Sequence, residues 1–249
     1  MSENAKEVAE PSVESLRMKA EFVLNELSNR LTRDDDERRF IVNRGVAPDL
    51  EHEEARMSDK KKFPHVIASA VAAELLFDLG PSAHRMAVAG SIRRLKPTVG
   101  DIELLFIPRL EQLPARDLFG QDVPVRNLAE EVIAGWLARG VLKKRLNVNG
   151  SEMWGDKNKL AVHDTTGIPV DLFAATEANW FNYLVCRTGP GESNIRIAEA
   201  ARRKGWMWNP YGEGFSRGVG LGRERIGVTS EREVFEFVGL PYLEPEKRT

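Results

Sequence analysis

The sequence is very poor in cysteine, because Cys186 is the only one among 249 residues. An internal disulfide needs two cysteines, so a disulfide framework is excluded, and this usage is typical of a reducing compartment. No apolar run approaches the ~20 residues of a membrane-spanning helix, and the first residues, MSENAKEVAEP, lack the apolar segment of a signal peptide. We therefore expect a cytoplasmic protein with no membrane partner.

An excess of charge of either sign is also lacking. The chain has 36 basic and 38 acidic residues, for a formal net charge of −2. This balance counts against a general nucleic-acid coat, although a local basic groove stays possible. The four histidines are scattered without the spacing of zinc ligands: His52, His65, His84 and His163.

The hydrophobic pattern divides the chain into three regions. Apolar residues at helical spacing over 13–31, followed by a highly charged stretch over 33–62, predict a helical N-terminal appendage at 1–62. Helical and strand patterns then alternate over 63–178, which predicts an α/β (α+β) domain with a mixed sheet and packed helices. The pattern changes again after 178, and we expect a small C-terminal α/β subdomain at 179–249.

The expected elements of the last two regions have recognisable ends. A helix begins at Pro64 and is ended by Gly80, and a second helix lies near 128–138. Strands are predicted at 86–89, 101–107, 141–148, 159–163 and 168–174. In the C-terminal region we expect a helix at 193–204, turns or a hairpin in the glycine-rich stretch 209–227, and a last helix that begins at a capping box at Ser230 and ends at Gly239.

Two acids share one face of a predicted strand. Asp101 and Glu103 are two residues apart, so their side chains point to the same side at a spacing of ~6.5–7 Å, while Ile102, Leu104 and Phe106 face the core. Two carboxylates on one face of a strand can bind hard divalent cations such as Mg²⁺. In enzymes that transfer phosphoryl groups with two metal ions, these cations also bind the phosphates of the substrate. Asp171, on a later strand, is the candidate for a third carboxylate.

A basic glycine-serine segment precedes these acids. Backbone N–H groups at Gly90-Ser91 can approach a phosphate, and the neighbouring Arg93 and Arg94 can neutralise it. Together with Gly100, this spacing indicates a site for metal-bound phosphates. The alternative, that the acids are only the solvated face of a half-exposed sheet, stays open at this point.

These motifs resemble those of a known family. Gly90-Ser91-x-Arg93-Arg94 followed by Gly100-Asp101-Ile102-Glu103 is similar to the signature of the nucleotidyltransferase superfamily, specifically of family X DNA polymerases of the polymerase beta type. The resemblance continues through Val170-Asp171-Leu172, Thr188-Gly189, Asn194 and the segment 239–248. Four motifs in the same order make the resemblance specific, and it covers roughly 64 to 248.

The resemblance implies a polymerase palm and a role for each matching residue. Asp101, Glu103 and Asp171 would hold two Mg²⁺ ions, for which Mn²⁺ could substitute, and Asp171 would activate the primer 3′-hydroxyl. The nucleoside triphosphate would lie on the remaining matched positions, with Ser91 and Arg94 at its β- and γ-phosphates, Gly189 against the sugar, Asn194 at the base edge, and Gly90 and Gly100 in the same pocket.

The chain also departs from the family pattern. Glu103 stands where the family usually has aspartate, and Cys186-Arg187 replaces an aromatic pair that screens the sugar 2′ position. No helix-hairpin-helix element is visible before Gly80, so we expect a reduced enzyme. Five basic residues could line a nucleic-acid groove, although solvated strand edges explain them equally well: Lys143, Lys144, Arg145, Lys157 and Lys159.

The resulting functional prediction is a reduced family X DNA polymerase. It would add dNMP from dNTP to a primer 3′-hydroxyl on gapped DNA or a primer-template, and we expect it to be a monomer. Two alternatives remain: an untemplated or RNA- or protein-directed nucleotidyltransferase on the same core, and a catalytically silent nucleotide-binding interaction protein.

Overall fold

The structure, a computed structural model, describes residues 61–112, 125–218 and 222–248. The appendage predicted at 1–62 therefore lies almost wholly outside the described residues, and the boundary at 178 stays a prediction. Within the described ranges, none of the helices has both the length and the apolar character needed to cross a membrane.

The elements follow one another in the order helix, strands, helix, strands, and then a helical and β C-terminal region. The strands are β1 Phe63–Pro64, β2 Ala83–Val88, β3 Thr98–Val99, β4 Ile102–Pro108, β5 Leu110–Glu111, β6 Arg126–Asn127, β7 Leu142–Lys144, β8 Asn158–His163, β9 Pro169–Ala174, β10 Met207–Trp208, β11 Gly214–Arg217 and β12 Glu224–Gly227. The α-helices are α1 His65–Leu79, α2 Gly90–Arg93, α3 Leu128–Ala138, α4 Trp180–Thr188, α5 Gly191–Arg203 and α6 Glu231–Val238.

A five-stranded mixed sheet forms the centre of the fold, in the order β2-β4-β9-β8-β7. The pairing of β4 with β9 is parallel, and the other three pairings are antiparallel. This confirms the predicted fold class. Pro169 begins β9, as one of the two sequence readings expected, although β9 itself lies in the middle of the sheet.

Helices cover both faces of this sheet. On one face, the buried side chains of Ile102, Leu104 and Phe106 pack with those of α1 and α3, as the alternation along β4 predicts. On the other face, Leu105 and Phe173 pack against α4. The acid-bearing face of β4 is therefore apolar beyond its first residues, so its carboxylates lie at the border of a second core.

The C-terminal region has its own core and well-defined helix ends. The hairpin of β11 and β12 falls in the glycine-rich stretch, as predicted, and joins β10 in a three-stranded sheet. The Ser230 hydroxyl accepts a hydrogen bond from the Glu233 N–H at 3.1 Å, and Gly239 ends α6 in a left-handed conformation. Both predicted ends of this helix are confirmed.

Two local predictions were wrong, and one helix was missed. The predicted turn at Gly90-Ser91 is a short helix, α2, and the strand predicted over 141–148 ends at Lys144. Helix α4 was not predicted, because its sequence WFNYLVCRT is rich in aromatic and β-branched residues of weak helix propensity. Its burial against the sheet overrides that propensity.

Candidate active site

Three acids come together where β4 and β9 run side by side. The parallel register pairs Glu103 directly with Asp171, and Asp101 immediately precedes β4. Neighbouring strands lie ~4.8 Å apart, so the paired residues belong to one small site. All three acids are partly buried.

Gly90 makes room for the side chain of Glu103. The N–H of Ala89 donates to the Glu103 carbonyl at 2.8 Å, which holds the start of α2 beside β4. Gly90 has a φ of 62°, and a Cβ at this position would lie 2.3 Å from Glu103 Oε2. The glutamate that departs from the family pattern is therefore accommodated by a glycine with positive φ.

Burial and mutual repulsion act on the carboxylates. Burial, and then the charge of Asp101, raise the pKa of Glu103 to about 8, against the opposing effect of Arg187. Burial also raises the pKa of Asp171, although Arg145 acts in the opposite direction. The three acids therefore repel one another when ionised, and a bound cation would reduce this repulsion.

Two arginines already contact the carboxylates. Arg145 donates a hydrogen bond to Asp171 Oδ1, and its Nε donates to the Ala161 carbonyl at 3.1 Å. Arg187 Nη1 lies 3.9 Å from Glu103 Oε1, which is an ion-pair distance but too long for a hydrogen bond. The two carboxylates that pair across the strands therefore each have a different arginine.

A set of buried polar atoms beside the acids has no hydrogen-bond partner. Among the described residues this set includes Ser91 Oγ, Arg94 Nε, Arg187 Nε and Asn194 Oδ1. Buried polar atoms without partners are uncommon, so these four atoms are available to hydrogen-bond a ligand. Three belong to residues that the sequence assigned to a triphosphate and base, and the fourth belongs to Arg187.

The turn after α4 lies against Arg94. Arg94 Nη1 donates to the Thr188 carbonyl, and the Nη1 atom would be 3.3 Å from a Cβ at Gly189, whose φ is 58°. Asn194 Nδ2 donates to the Cys186 carbonyl at 2.9 Å. Arg94 and Asn194 thus both contact the segment 186–189, and Ser91 lies on α2, three residues before Arg94. At Gly100, by contrast, an added Cβ would meet only Lys62 Nζ, at an ordinary 3.6 Å.

Arg93 links this site to the C-terminal helix. Its guanidinium donates to Thr188 Oγ1 at 2.7 Å and to Glu231 Oε2 at 2.9 Å. Arg248, which is fully buried, donates to the same Glu231 oxygen at 2.9 Å. This network was not found from the sequence, since nothing local connects residues 93, 231 and 248.

The residues fit a metal-bound triphosphate chemically, although their carboxylates face arginines in this structure. Carboxylate oxygens are the ligands that Mg²⁺ prefers, and the unpartnered Ser91 and Arg94 atoms suit phosphate oxygens. Among the described residues, no group of three acidic, histidine or cysteine side chains is arranged around one metal position. Holding a metal would therefore require Glu103 or Asp171 to turn from its arginine.

The five predicted groove residues separate into different environments. Lys143, Lys144 and Lys157 are exposed, and the first two form surface ion pairs with Asp164 and Glu152. Arg145 contacts Asp171, as described above. Lys159 is only 4% exposed and its Nζ donates to Gly155 O at 2.7 Å and also to Glu130, so its assignment to a groove was wrong.

Cys186 does not add a nucleophile to the site. Burial raises the pKa of its thiol to about 12, so the reactive thiolate is absent at neutral pH. The neighbouring Arg187 was noted in the sequence only as a departure from an aromatic position. Its proximity to Glu103 depends on how α4 packs on the sheet, and no local sequence signal reveals it.

Comparison with known proteins gives a match to a family model and a match in fold. Residues 183–249 match the family model for the DNA polymerase beta thumb. Among solved structures, the chain is similar to the polymerase beta of Leishmania infantum in a ternary P/T complex, with a TM-score of 0.58 and 17% identity over 91% of this chain and 88% of that one. No curated protein matches the chain. The resemblance to family X DNA polymerases is thus confirmed: the chain is polymerase beta-like in its fold, and its C-terminal segment matches the thumb of that family.

Proposed function

We propose that the protein is a nucleotidyltransferase that adds dNMP from dNTP to a primer 3′-hydroxyl on gapped DNA. The polymerase beta-like fold and the thumb match support a polymerase-like nucleotidyltransferase in general. The observation that carries the specific proposal is the pairing of Glu103 with Asp171 beside buried Ser91 and Arg94 atoms that lack partners.

Each part of this site has a role in the proposed reaction. Asp101, Glu103 and Asp171 would hold two Mg²⁺ ions, which lower the pKa of a bound hydroxyl and neutralise phosphate charge. Ser91 and Arg94 would bind the triphosphate, Gly189 would lie against the sugar, and Asn194 would offer Oδ1 to the base. Asp171 would be nearest the primer 3′-hydroxyl and would activate it by accepting its proton. The 3′-oxygen forms a bond to the α-phosphorus as the bond to pyrophosphate breaks.

The exposed basic residues suit a DNA partner. Lys143, Lys144 and Lys157 lie on the part of the sheet and loop that also brings Arg145 to Asp171. Lysines that neutralise backbone phosphates give a sequence-independent affinity that falls with salt. We therefore expect gapped DNA to bind through this surface, and more weakly as the salt concentration rises.

Primer extension on labelled gapped DNA tests the proposal. Each dNTP and rNTP is supplied with Mg²⁺ or Mn²⁺, and the variant Asp171→Asn is compared with Asp156→Asn, which removes an exposed acid outside the site. We expect templated addition by the wild type and by Asp156→Asn, and a loss of at least 10²-fold in Asp171→Asn, since the substitution removes charge stabilisation at the reacting oxygen. Thermal unfolding confirms that both variants fold.

The other outcomes separate the remaining functions. If nucleotide addition does not depend on the template, or uses an RNA or protein acceptor, the protein is a different nucleotidyltransferase that uses the same site. If the folded protein binds nucleotide but transfers it to no acceptor, the proposed activity is refuted. The remaining hypothesis is then a catalytically silent nucleotide-binding protein that acts through interactions.

A further inference from the structure

Arg187 occupies an unusual position for a cation beside a candidate metal site. It lies on α4, and its guanidinium reaches across to Glu103 at 3.9 Å, while its side chain is only 22% exposed. A divalent cation on Glu103 would bring a second positive charge close to this guanidinium. Like charges at such distances repel strongly in a partly buried site, so Arg187 and the metal compete for the same carboxylate.

Aromatic rings surround the guanidinium of Arg187, and one of them, Tyr183, also forms a side-chain hydrogen bond with it. Its Cζ lies 3.7 Å from the centre of the Phe173 ring, 5.1 Å from that of Tyr211 and 5.5 Å from that of Tyr183. Arginine stacked on rings keeps its N–H groups available at its edge. Consistent with this, Arg187 Nε is buried and without a partner. This arrangement leaves a buried N–H of the guanidinium available to a second anion.

Arg145 differs from Arg187 in this respect. It donates a direct hydrogen bond to Asp171, and its Nε is satisfied by the Ala161 carbonyl on the neighbouring strand. Arg145 is thus fixed to the sheet, with no spare buried donor. Of the two arginines, only Arg187 combines a long contact to its carboxylate with an unused buried N–H.

We propose that Arg187 is an exchangeable counterion that couples metal binding to triphosphate binding. Without nucleotide its guanidinium stays beside Glu103, and its positive charge weakens the binding of a divalent cation there. When the triphosphate arrives, the guanidinium turns to a phosphate oxygen and releases Glu103 to the metal. Because binding linkage is reciprocal, nucleotide strengthens metal binding by the same factor by which metal strengthens nucleotide binding. This inference rests on the metal-nucleotide site of the proposed function.

Direct measurement of Mn²⁺ binding tests this coupling without relying on turnover. Electron paramagnetic resonance reports free Mn²⁺ during titration of the full chain, with and without a non-hydrolysable dNTP analogue. We expect Arg187→Gln to bind Mn²⁺ alone roughly tenfold more tightly than the wild type, and the enhancement by nucleotide to shrink by a similar factor. Arg202→Gln, which removes an exposed positive charge at the last turn of α5, should behave as the wild type.

A charge-preserving variant separates the role of charge from that of packing. Arg187→Lys keeps the cation, so its affinity for Mn²⁺ alone should stay within about threefold of the wild type, well short of the coupling factors usual for linked sites. If the lysine and glutamine variants gain Mn²⁺ affinity equally, packing and not charge is responsible, and the inference is wrong.

The remaining outcomes distinguish this inference from the proposed function. If the wild type binds Mn²⁺ with nucleotide but Arg187→Gln changes neither affinity, the coupling role is refuted while the metal-nucleotide site stands. If the folded wild type binds no Mn²⁺ even with the nucleotide analogue, the site itself is refuted and the counterion role is refuted with it.

Discussion

Substitution of Gly90 by alanine should damage the candidate site more than the fold. The new Cβ would lie 2.3 Å from Glu103 Oε2 and 3.2 Å from Glu103 Cδ, so the carboxylate must leave its place. The φ of 62° adds strain of about 1–2 kcal/mol for any residue with a side chain, and alanine recovers about 0.4–1 kcal/mol by restricting the unfolded chain. Displacing Glu103 adds about 1–3 kcal/mol, as for other overpacked positions.

Gly167 provides a matched control for this substitution. It has a φ of 70°, and a Cβ there would meet nothing within 4 Å. Gly167→Ala therefore carries the same backbone strain without the contact to Glu103. We expect urea unfolding to show Gly90→Ala as less stable than Gly167→Ala by about 1–3 kcal/mol. Only Gly90→Ala should lose the increase in melting temperature produced by dNTP with Mn²⁺.

A double mutant identifies the contact itself. Glu103→Asp shortens the side chain by one methylene, so it should relieve the clash with a Cβ at Gly90. We expect the double variant Gly90→Ala with Glu103→Asp to be more stable than the sum of the single effects by about 1 kcal/mol. If the effects of the two substitutions on stability are additive, or if Gly90→Ala and Gly167→Ala are equally stable, the inferred contact between Glu103 and Gly90 is refuted.

Three further predictions concern other parts of the chain. Burial alone would raise the pKa of Glu231, but hydrogen bonds from Arg93 and the charges of Arg93 and Arg248 hold that pKa below its usual 4.5. The ionised Glu231 should therefore stabilise the fold fully above pH 4.5, and this stabilisation should be lost at lower pH. Glu231→Gln should flatten the acid side of a profile of melting temperature against pH. Burial raises the pKa of Glu213 to about 7, and both of its carboxylate oxygens lack partners, so the free energy of unfolding should fall as the pH rises from 4.5 to 7. Glu213→Gln should increase the free energy of unfolding by about 2 kcal/mol at pH 8 and by little at pH 4. An equal increase at both pH values would contradict this prediction. Leu95 is 66% exposed and has a φ of 55°, which is a strained backbone conformation for leucine. Leu95→Gly should therefore raise the free energy of unfolding measured in urea by about 0.5–1 kcal/mol. A lower free energy of unfolding would show that this backbone strain is absent.

Much of the local structure could be predicted from sequence. The alternation along 101–107 separates the acids from Ile102, Leu104 and Phe106, and the structure buries those three residues. The capping box at Ser230 and the left-handed Gly239 define α6 because both signals act within a few residues. Such features depend on chemistry between near neighbours, which the sequence contains.

Features set by distant contacts could not be predicted in this way. The sequence suggested that Asp171 joins Asp101 and Glu103, but the parallel register that pairs it with Glu103 depends on how two separated strands align. Lys159 looked like a surface lysine, yet a carboxylate at Glu130 and the Gly155 carbonyl satisfy it inside the protein. The position of Arg187 likewise depends on the packing of a helix whose own sequence weakly favours helix formation.

The strand order has a consequence for how the protein folds. β9 is the last of the five central strands in the chain, yet it lies between β4 and β8, which are both synthesised earlier. The pair β2-β4 and the hairpin β7-β8 can form from nearby residues, but they join only when β9 enters between them. Such long-range pairing forms slowly. Because β9 carries Asp171, completing the sheet and completing the candidate site are a single step, and a chain shortened before Pro169 would have neither.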